Sequence, residues 1–396
     1  MDTNFPAGDV PPPLQPPPII AAPQPAKPRK SRGWMIFAII LVVLLMFSLL
    51  GNFAQAISHA LGGITPGGFN NGFASRSLRE AGPKLDEVLV KDNGARSSKI
   101  AVVTVDGIIT SHQADQAGNN MVDVIRAQLD RAADDARVKA VILKVDSPGG
   151  EVMASDQINK LIVDFQNGKP AKGDVPAVKG KPVICSMGSL AASGGYYISA
   201  PCRWIEADDL TLTASIGVIM EGINYRGLMD KLGIAPNVYK SGIHKDMLSG
   251  MRETNEIPAD EHDMIQNLIM DTYGQFTNIV AQGRGNAHKL NGSDGKMLAP
   301  DWMKFADGRV VSGKEALRLG LVDGIGDFDN AVDRAEKITG ISNANLVEYR
   351  ERYDIGDFLS MFGQSGKAHD IKLDFGVDIP KLQAGALYFL WQPPMD

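Results

Sequence analysis

Two hydrophobic periods alternate along the middle of this chain. "KIAVVTVDGIIT" (99–110) is apolar and β-branched, which predicts a buried strand. "MVDVIRAQLDRAADD" (121–135) spaces its apolar residues as a helix does. "VKAVILKVDS" (138–147) predicts a second buried strand, "EVMASDQINKLIVDFQ" (151–166) an amphipathic helix, and "KPVICSM" (181–187) a third strand. Strand–helix alternation of this kind predicts an α/β fold, a parallel sheet with right-handed crossovers and flanking helices. "NGKPAKGDVPAVKGK" (167–181), with four lysines and two prolines, reads as an exposed loop inside a βαβ unit. Upstream, residues 58–98 read as a linker leading into a helix near Ser77–Val90. Downstream, "IKLDFGVDI" (371–379) alternates like a half-buried strand. The apolar "GALYFLW" (385–391) is expected to pack on a neighbour or on another protomer.

One segment follows neither period. Trp34 to Leu50 is apolar without a charge, and Gly51 to Ala60 adds no Asp, Glu, Lys or Arg. A bilayer needs about 20 such residues, and in lipid they must be helical. Lys27, Arg29, Lys30 and Arg32 precede the run, and no Lys or Arg follows before Arg76. The positive-inside rule places the N-terminus in the cytoplasm and the rest of the chain outside. "AQA" (54–56) resembles a signal cleavage site, but the apolar run exceeds the ~7–15 residues of a signal core, which favours an uncleaved anchor. The proline-rich residues 1–33 read as an extended, disordered tail.

The 396 residues suffice for one large domain or two ordinary ones, and 44% hydrophobic residues can build a substantial core. A net charge of −6 argues against a nucleic-acid binder. Cys185 and Cys202 are too few for a disulfide framework and read as buried free thiols.

Two glycine-rich turns follow predicted strands. "DSPGGEV" (146–152) is expected to aim the amides of Gly149 and Gly150 at an anionic oxygen from a helix start. "SMGSLAASGGYYISA" (186–200) puts Ser193 near another helix start. Both turns lie at carboxyl ends of parallel strands, where ligands bind. A serine between two such turns could act as a nucleophile over an oxyanion hole, if a base activates it. "YKSGIHKDMLS" (239–249) offers Lys240, His244 and Lys245 as bases. Spacing alone favours His244, because histidine titrates near neutrality. A lysine must lose roughly 3 pK units, about 4 kcal/mol, which burial can supply. The six histidines form no metal-ligand motif.

"VDSPGGEV", "SMGSLAASGGYYIS", "TASIGVIM", "YKSGIHKDMLS" and "ADGRVVSGKEALRLGLVDGIG" occur in the order and spacing of the signal peptide peptidase SppA family. The resemblance covers about residues 98–340 and is to the short, single-domain form. It implies a ClpP/crotonase-like fold preceded by one transmembrane helix, and a serine endopeptidase using a Ser–Lys dyad without metal or cofactor. It implies Ser193 as nucleophile, Lys245 as general base in place of His244, Gly150 and Gly194 as oxyanion donors, and Ser215 as the serine that orients the lysine. It also implies a ring-shaped homo-oligomer whose sites are shared between protomers, at the outer face of the membrane. The substrates it implies are remnant signal peptides and other hydrophobic peptide segments. The chain then divides into a tail (1–33), a transmembrane helix (34–54), a linker and entry helix (55–97), a peptidase domain (98–340) and a C-terminal extension (341–396). The competing readings are a crotonase-type acyl-CoA enzyme, which the preceding span disfavours, a non-catalytic membrane scaffold, and a Ser–His hydrolase.

Overall fold

The computed structural model describes residues 41, 82–95, 97–112, 119–170, 177–352 and 387–390. The tail, the expected span apart from Leu41, and the strand expected at 371–379 lie outside them. Among the described residues no helix is long and apolar enough to cross a membrane.

In chain order the strands are β1 (Leu85–Lys91), β2 (Lys99–Asp106), β3 (Val138–Ser147), β4 (Gly149–Glu151), β5 (Gly168–Lys169), β6 (Val178–Lys179) and β7 (Val183–Ala192). They continue as β8 (Trp204–Ala207), β9 (Leu212–Ala214), β10 (Val310–Ser312), β11 (Gly324–Ile325), β12 (Asn345–Glu351) and β13 (Tyr388–Leu390). The helices are α1 (Met121–Asp134), α2 (Val152–Asn167), α3 (Gly194–Ser199), α4 (Arg226–Lys231), α5 (Ala259–Asn291), α6 (Gly313–Leu319) and α7 (Phe328–Thr339). The main sheet runs β1-β12-β2-β3-β7-β8-β11, with β9 and β10 attached beside the end of β7. From β12 to β11 the neighbours are parallel, and only β1 on the path is antiparallel to its neighbour. This is the mixed α/β architecture that the strand–helix alternation predicts.

The parallel strands are apolar on both faces because both are covered. Val141, Leu143 and Val145 of β3 face a core shared with Ile125 and Leu129 of α1 and Ile158 and Ile162 of α2. Ala140 and Ile142 face a smaller core with Trp204 and with Ala331 and Ala335 of α7.

Three expectations change. Leu85–Lys91 is an edge strand, where a helix near Ser77–Val90 is expected. "LDEVLVK" suits both periods, and its pairing with β12 decides the outcome. The sheet therefore takes in β1 and β12, which lie outside 98–340. The lysine-rich loop is not simply exposed, since its ends pair as β5 and β6. Its Lys181 Nζ donates to the carbonyls of Ala132, Ala133 and Asp135 at 2.6, 2.9 and 2.8 Å, a cation at the C-terminus of α1. Cys185 and Cys202 are free and buried, as expected.

The 33-residue α5 is tied to the sheet by a buried ion pair between Arg284 and Asp323. Arg284 Nη1 also donates to Cys202 O at 3.2 Å, and Asp323 accepts from Ile205 N at 2.9 Å. Both side chains are fully buried, so removing one strands a charge. Arg284→Ala is expected to lower unfolding free energy by about 3–5 kcal/mol, read from urea denaturation. Replacing both partners by Met and Leu should recover much of that loss.

Candidate active site

Strand β7 ends at Ala192, and α3 begins at Gly194. Ser193 is the junction, with φ 53° and ψ −113°, a region that side chains other than glycine rarely adopt. Its N–H donates to Ala214 O at 2.8 Å, and its C=O accepts from Tyr197 N at 2.8 Å. The residue is 1% exposed. The neighbouring strand β9 pairs Ala192 with Ala214, so Ser215 follows directly alongside Ser193. Ala214 (φ 64°) and Ser215 (φ 49°) also have positive φ. Three of the five non-glycine residues with positive φ among the described ones thus lie at this single point. Ser215 Oγ donates to Gly308 O at 3.1 Å.

The glycines explain why the second turn fits here. A β-carbon on Gly194 would lie 2.7 Å from Ser155 Oγ and 3.1 Å from both Gly149 Cα and Gly150 N. A β-carbon on Gly195 would lie 2.8 Å from Ser147 O. The two turns therefore pack backbone against backbone, bringing Gly150 and Gly194 to one place beside Ser193. Their conformation differs from the one expected. Gly149 and Gly150 lie in the short strand β4, and α2 begins only at Val152. Gly149 N is already taken by Ser147 Oγ at 3.1 Å.

Three features near the turns had no signal in the sequence. Glu151 clamps the chain at 109–112 to β4. Its carboxylate accepts from Thr110 Oγ1 (2.5 Å), Ser111 N (3.0 Å) and Ser111 Oγ (2.8 Å), with His112 Nδ1 at 2.5 Å. Burial raises its pKa, and these hydrogen bonds outweigh burial, leaving it below the usual glutamate value. The backbones join as well, by Ile109 N to Gly149 O and Glu151 N to Ile109 O, both 2.8 Å. Ser155, fully buried against Gly194, has a hydroxyl with no hydrogen-bond partner among the described residues.

The three candidate bases lie on a largely exposed stretch between β9 and α5. Lys240 Nζ donates to Asp246 Oδ1 at 2.9 Å and holds that carboxyl below its usual range. Asp246 lies 3.4 Å from Arg252, which pairs with Glu261 on α5. His244 sits 3.4 Å from Glu261 Oε1 and 3.6 Å from Asp260 Oδ2. Lys245 is exposed, and its side chain makes no ion pair or hydrogen bond among the described residues. Among the described residues no hydrogen bond or ion pair joins Lys245, Lys240 or His244 to Ser193. Ile223, Leu228, Leu232, Tyr239 and Ile243 on the same stretch are also exposed.

The chain is similar to known peptidases. The profile of Peptidase family S49 matches residues 177–342. A candidate signal peptide peptidase SppA of Enterococcus faecium is 36% identical over 65% of this chain and 69% of its own length. A candidate protease of Synechocystis sp. is 35% identical over 61% of this chain and 75% of its own. Protease 4 of Haemophilus influenzae is 36% identical, over 66% of this chain and 37% of its own.

The backbone at residue 193 makes a measurable prediction. Ser193→Gly is expected to be more stable than Ser193→Ala by about 1–2 kcal/mol, because only glycine relaxes this φ and ψ. Paired urea melts check this, and equal midpoints would show an unstrained junction.

Proposed function

Because this chain belongs to peptidase family S49, the SppA serine proteases, we propose that Ser193 is its nucleophile and Lys245 its general base. The observation that carries this reading is the strained Ser193 held at the glycine junction beside Gly150 and Gly194. Neutral Lys245 takes the Ser193 proton as the oxygen attacks the scissile carbonyl. The amides of Gly150 and Gly194 receive the oxyanion, where one donor contributes about 3–4 kcal/mol. The resulting ammonium returns its proton to the leaving amine, and water then hydrolyses the acyl-enzyme. The scheme needs no metal or organic cofactor.

The base reaches the serine from a second protomer. Exposed apolar residues around Lys245 support this, since a patch of that kind marks an interface. Burial in that interface would also favour the neutral amine. The assembly proposed is a ring in which Ser215 helps to orient the incoming lysine. The engagement of Lys240 by Asp246, and of His244 by Glu261 and Asp260, favours Lys245 over both. We place the protease on a membrane through residues 34–54, with its catalytic domain outside the cytoplasm. Its substrates there would be remnant signal peptides and other hydrophobic segments.

Lys245→Ala is expected to lower peptide hydrolysis by at least ~10³-fold, with Lys240→Ala and His244→Ala within a few-fold of the parent. Co-assembled Ser193→Ala and Lys245→Ala chains should regain activity that neither has alone. A dead His244→Ala chain beside an active Lys245→Ala chain would restore the Ser–His reading. A mixture that stays inactive would place both groups within one protomer.

A further inference from the structure

The two buried cysteines stand at either end of the turn that carries Ser193. Cys185 lies in β7 and Cys202 follows α3, so the chain between them includes Ser193 and Gly194. The fold brings them back together at Ser199. The Cys185 thiol donates to Ser199 Oγ at 3.3 Å, and the Ser199 carbonyl accepts from Cys202 N at 3.0 Å. The two thiols also stand in hydrogen-bond contact with each other. Burial, and after it that contact, pushes the Cys202 thiol well above its usual range. Neither side chain has any exposed surface.

Both backbones are pinned. Cys185 sits in the sheet between Leu143 of β3 and Ile205 of β8. Cys202 is held by its N–H on Ser199 and by its carbonyl, which accepts from Arg284 Nη1 at 3.2 Å. Thiols in contact on fixed backbones can bond by side-chain rotation alone, whereas a pair whose side chains point apart needs backbone movement. The competing reading is packing, since a buried cysteine behaves as a small apolar side chain. Packing does not require that the two cysteines of the whole chain meet each other, as these do.

We propose that Cys185 and Cys202 form a disulfide when the chain folds in an oxidising compartment, closing covalently the loop that carries Ser193. The structure shows the dithiol form. The oxidant is an exchangeable disulfide of the glutathione or protein type. One cysteine thiolate attacks it and releases one thiol. The other cysteine then gives its proton to water, attacks the mixed disulfide and releases the second thiol. Two electrons thus pass from the pair to the oxidant, and the bond between the two Sγ atoms remains. With both sulfurs fully buried, this exchange belongs to the folding chain, before α3 docks, and the finished bond is shielded from reductants. The strained junction at Ser193 is then held by a covalent loop as well as by its backbone bonds to Ala214 and Tyr197. The proposed placement of the catalytic domain outside the cytoplasm supplies such a compartment.

The test unfolds the full chain in urea and returns it to detergent buffer at graded ratios of oxidised to reduced glutathione, beside samples left in urea. Free thiols are then alkylated. Trypsin releases both cysteines in one peptide, residues 180–203, because Pro182 blocks cleavage after Lys181. The disulfide leaves that peptide unalkylated and lighter by two hydrogens. The refolded chain is expected to be half oxidised at a ratio at least ~10-fold lower than the unfolded chain, because the fold raises the effective concentration of one thiol at the other. By linkage, the oxidised chain keeps its tryptophan fluorescence to higher urea than the reduced chain, and Cys202→Ala loses that difference. An equal or higher ratio for the refolded chain overturns the proposal. Where the chain does not refold, diamide treatment of the native chain decides: a disulfide in peptide 180–203 supports the proposal, and two alkylated cysteines after denaturation overturn it. Alkylation in intact cells reads the compartment separately. A dithiol there, with the shifted ratio intact, upholds the bond and counts against placement outside the cytoplasm.

Discussion

Two backbone segments meet at a distance that no β-carbon tolerates. The chain at 147–150 and the start of α3 approach until Gly194 touches Gly149 and Gly150, and Gly195 touches Ser147. Everything in the site depends on this contact. It fixes the junction residue between them and leaves the Ser155 hydroxyl buried, with no hydrogen-bond partner among the described residues. Strain at Ser193, Ala214 and Ser215 is the local cost, and the surrounding sheet and two cores hold it in place.

The strands of the sheet centre were legible because they are buried on both faces. "VKAVILKVDS" needs no partner to be recognised, and β3 occupies the same ten residues. Leu85–Lys91 was not legible, because its type is set by β12, some 250 positions away. The glycine turns announced themselves by composition, yet the extended form of β4 depends on Ile109 and β13, which are remote in sequence. Spacing alone favoured His244. The acidic partners that α5 and Asp246 supply to His244 and Lys240 are visible only in the fold. Thr110 and Ser155 carry no motif, and Glu151 stands in "VDSPGGEV" with no role that its spacing announces, so only tertiary placement joins the three to the turns. "GALYFLW" reads as apolar and in need of a partner. That the partner is β4 of its own chain follows from the fold alone.

The stretch bearing Lys245 contrasts with the junction it is proposed to serve. Ser193 is overdetermined by backbone contacts, whereas the 221–251 stretch is held mainly by charges. Lys240, Asp246, Arg252 and Glu261 form one chain of ion pairs that fastens it to the first turn of α5. Backbone contacts thus hold the glycine junction, and side-chain ion pairs hold the stretch that carries Lys245.

Helix α5 carries a consequence of its own. Its 33 residues make a rod of about 50 Å. Glu261 at one end grips the charged brace, Phe276 near the middle packs its ring on Tyr197 and Phe389, and Arg284 toward the other end is bolted to Asp323. Brace and aromatic cluster thus share a common axle. The orientation of the basic stretch and the seat of the aromatic cluster are gauged from the same ruler, a helix whose far portion is locked.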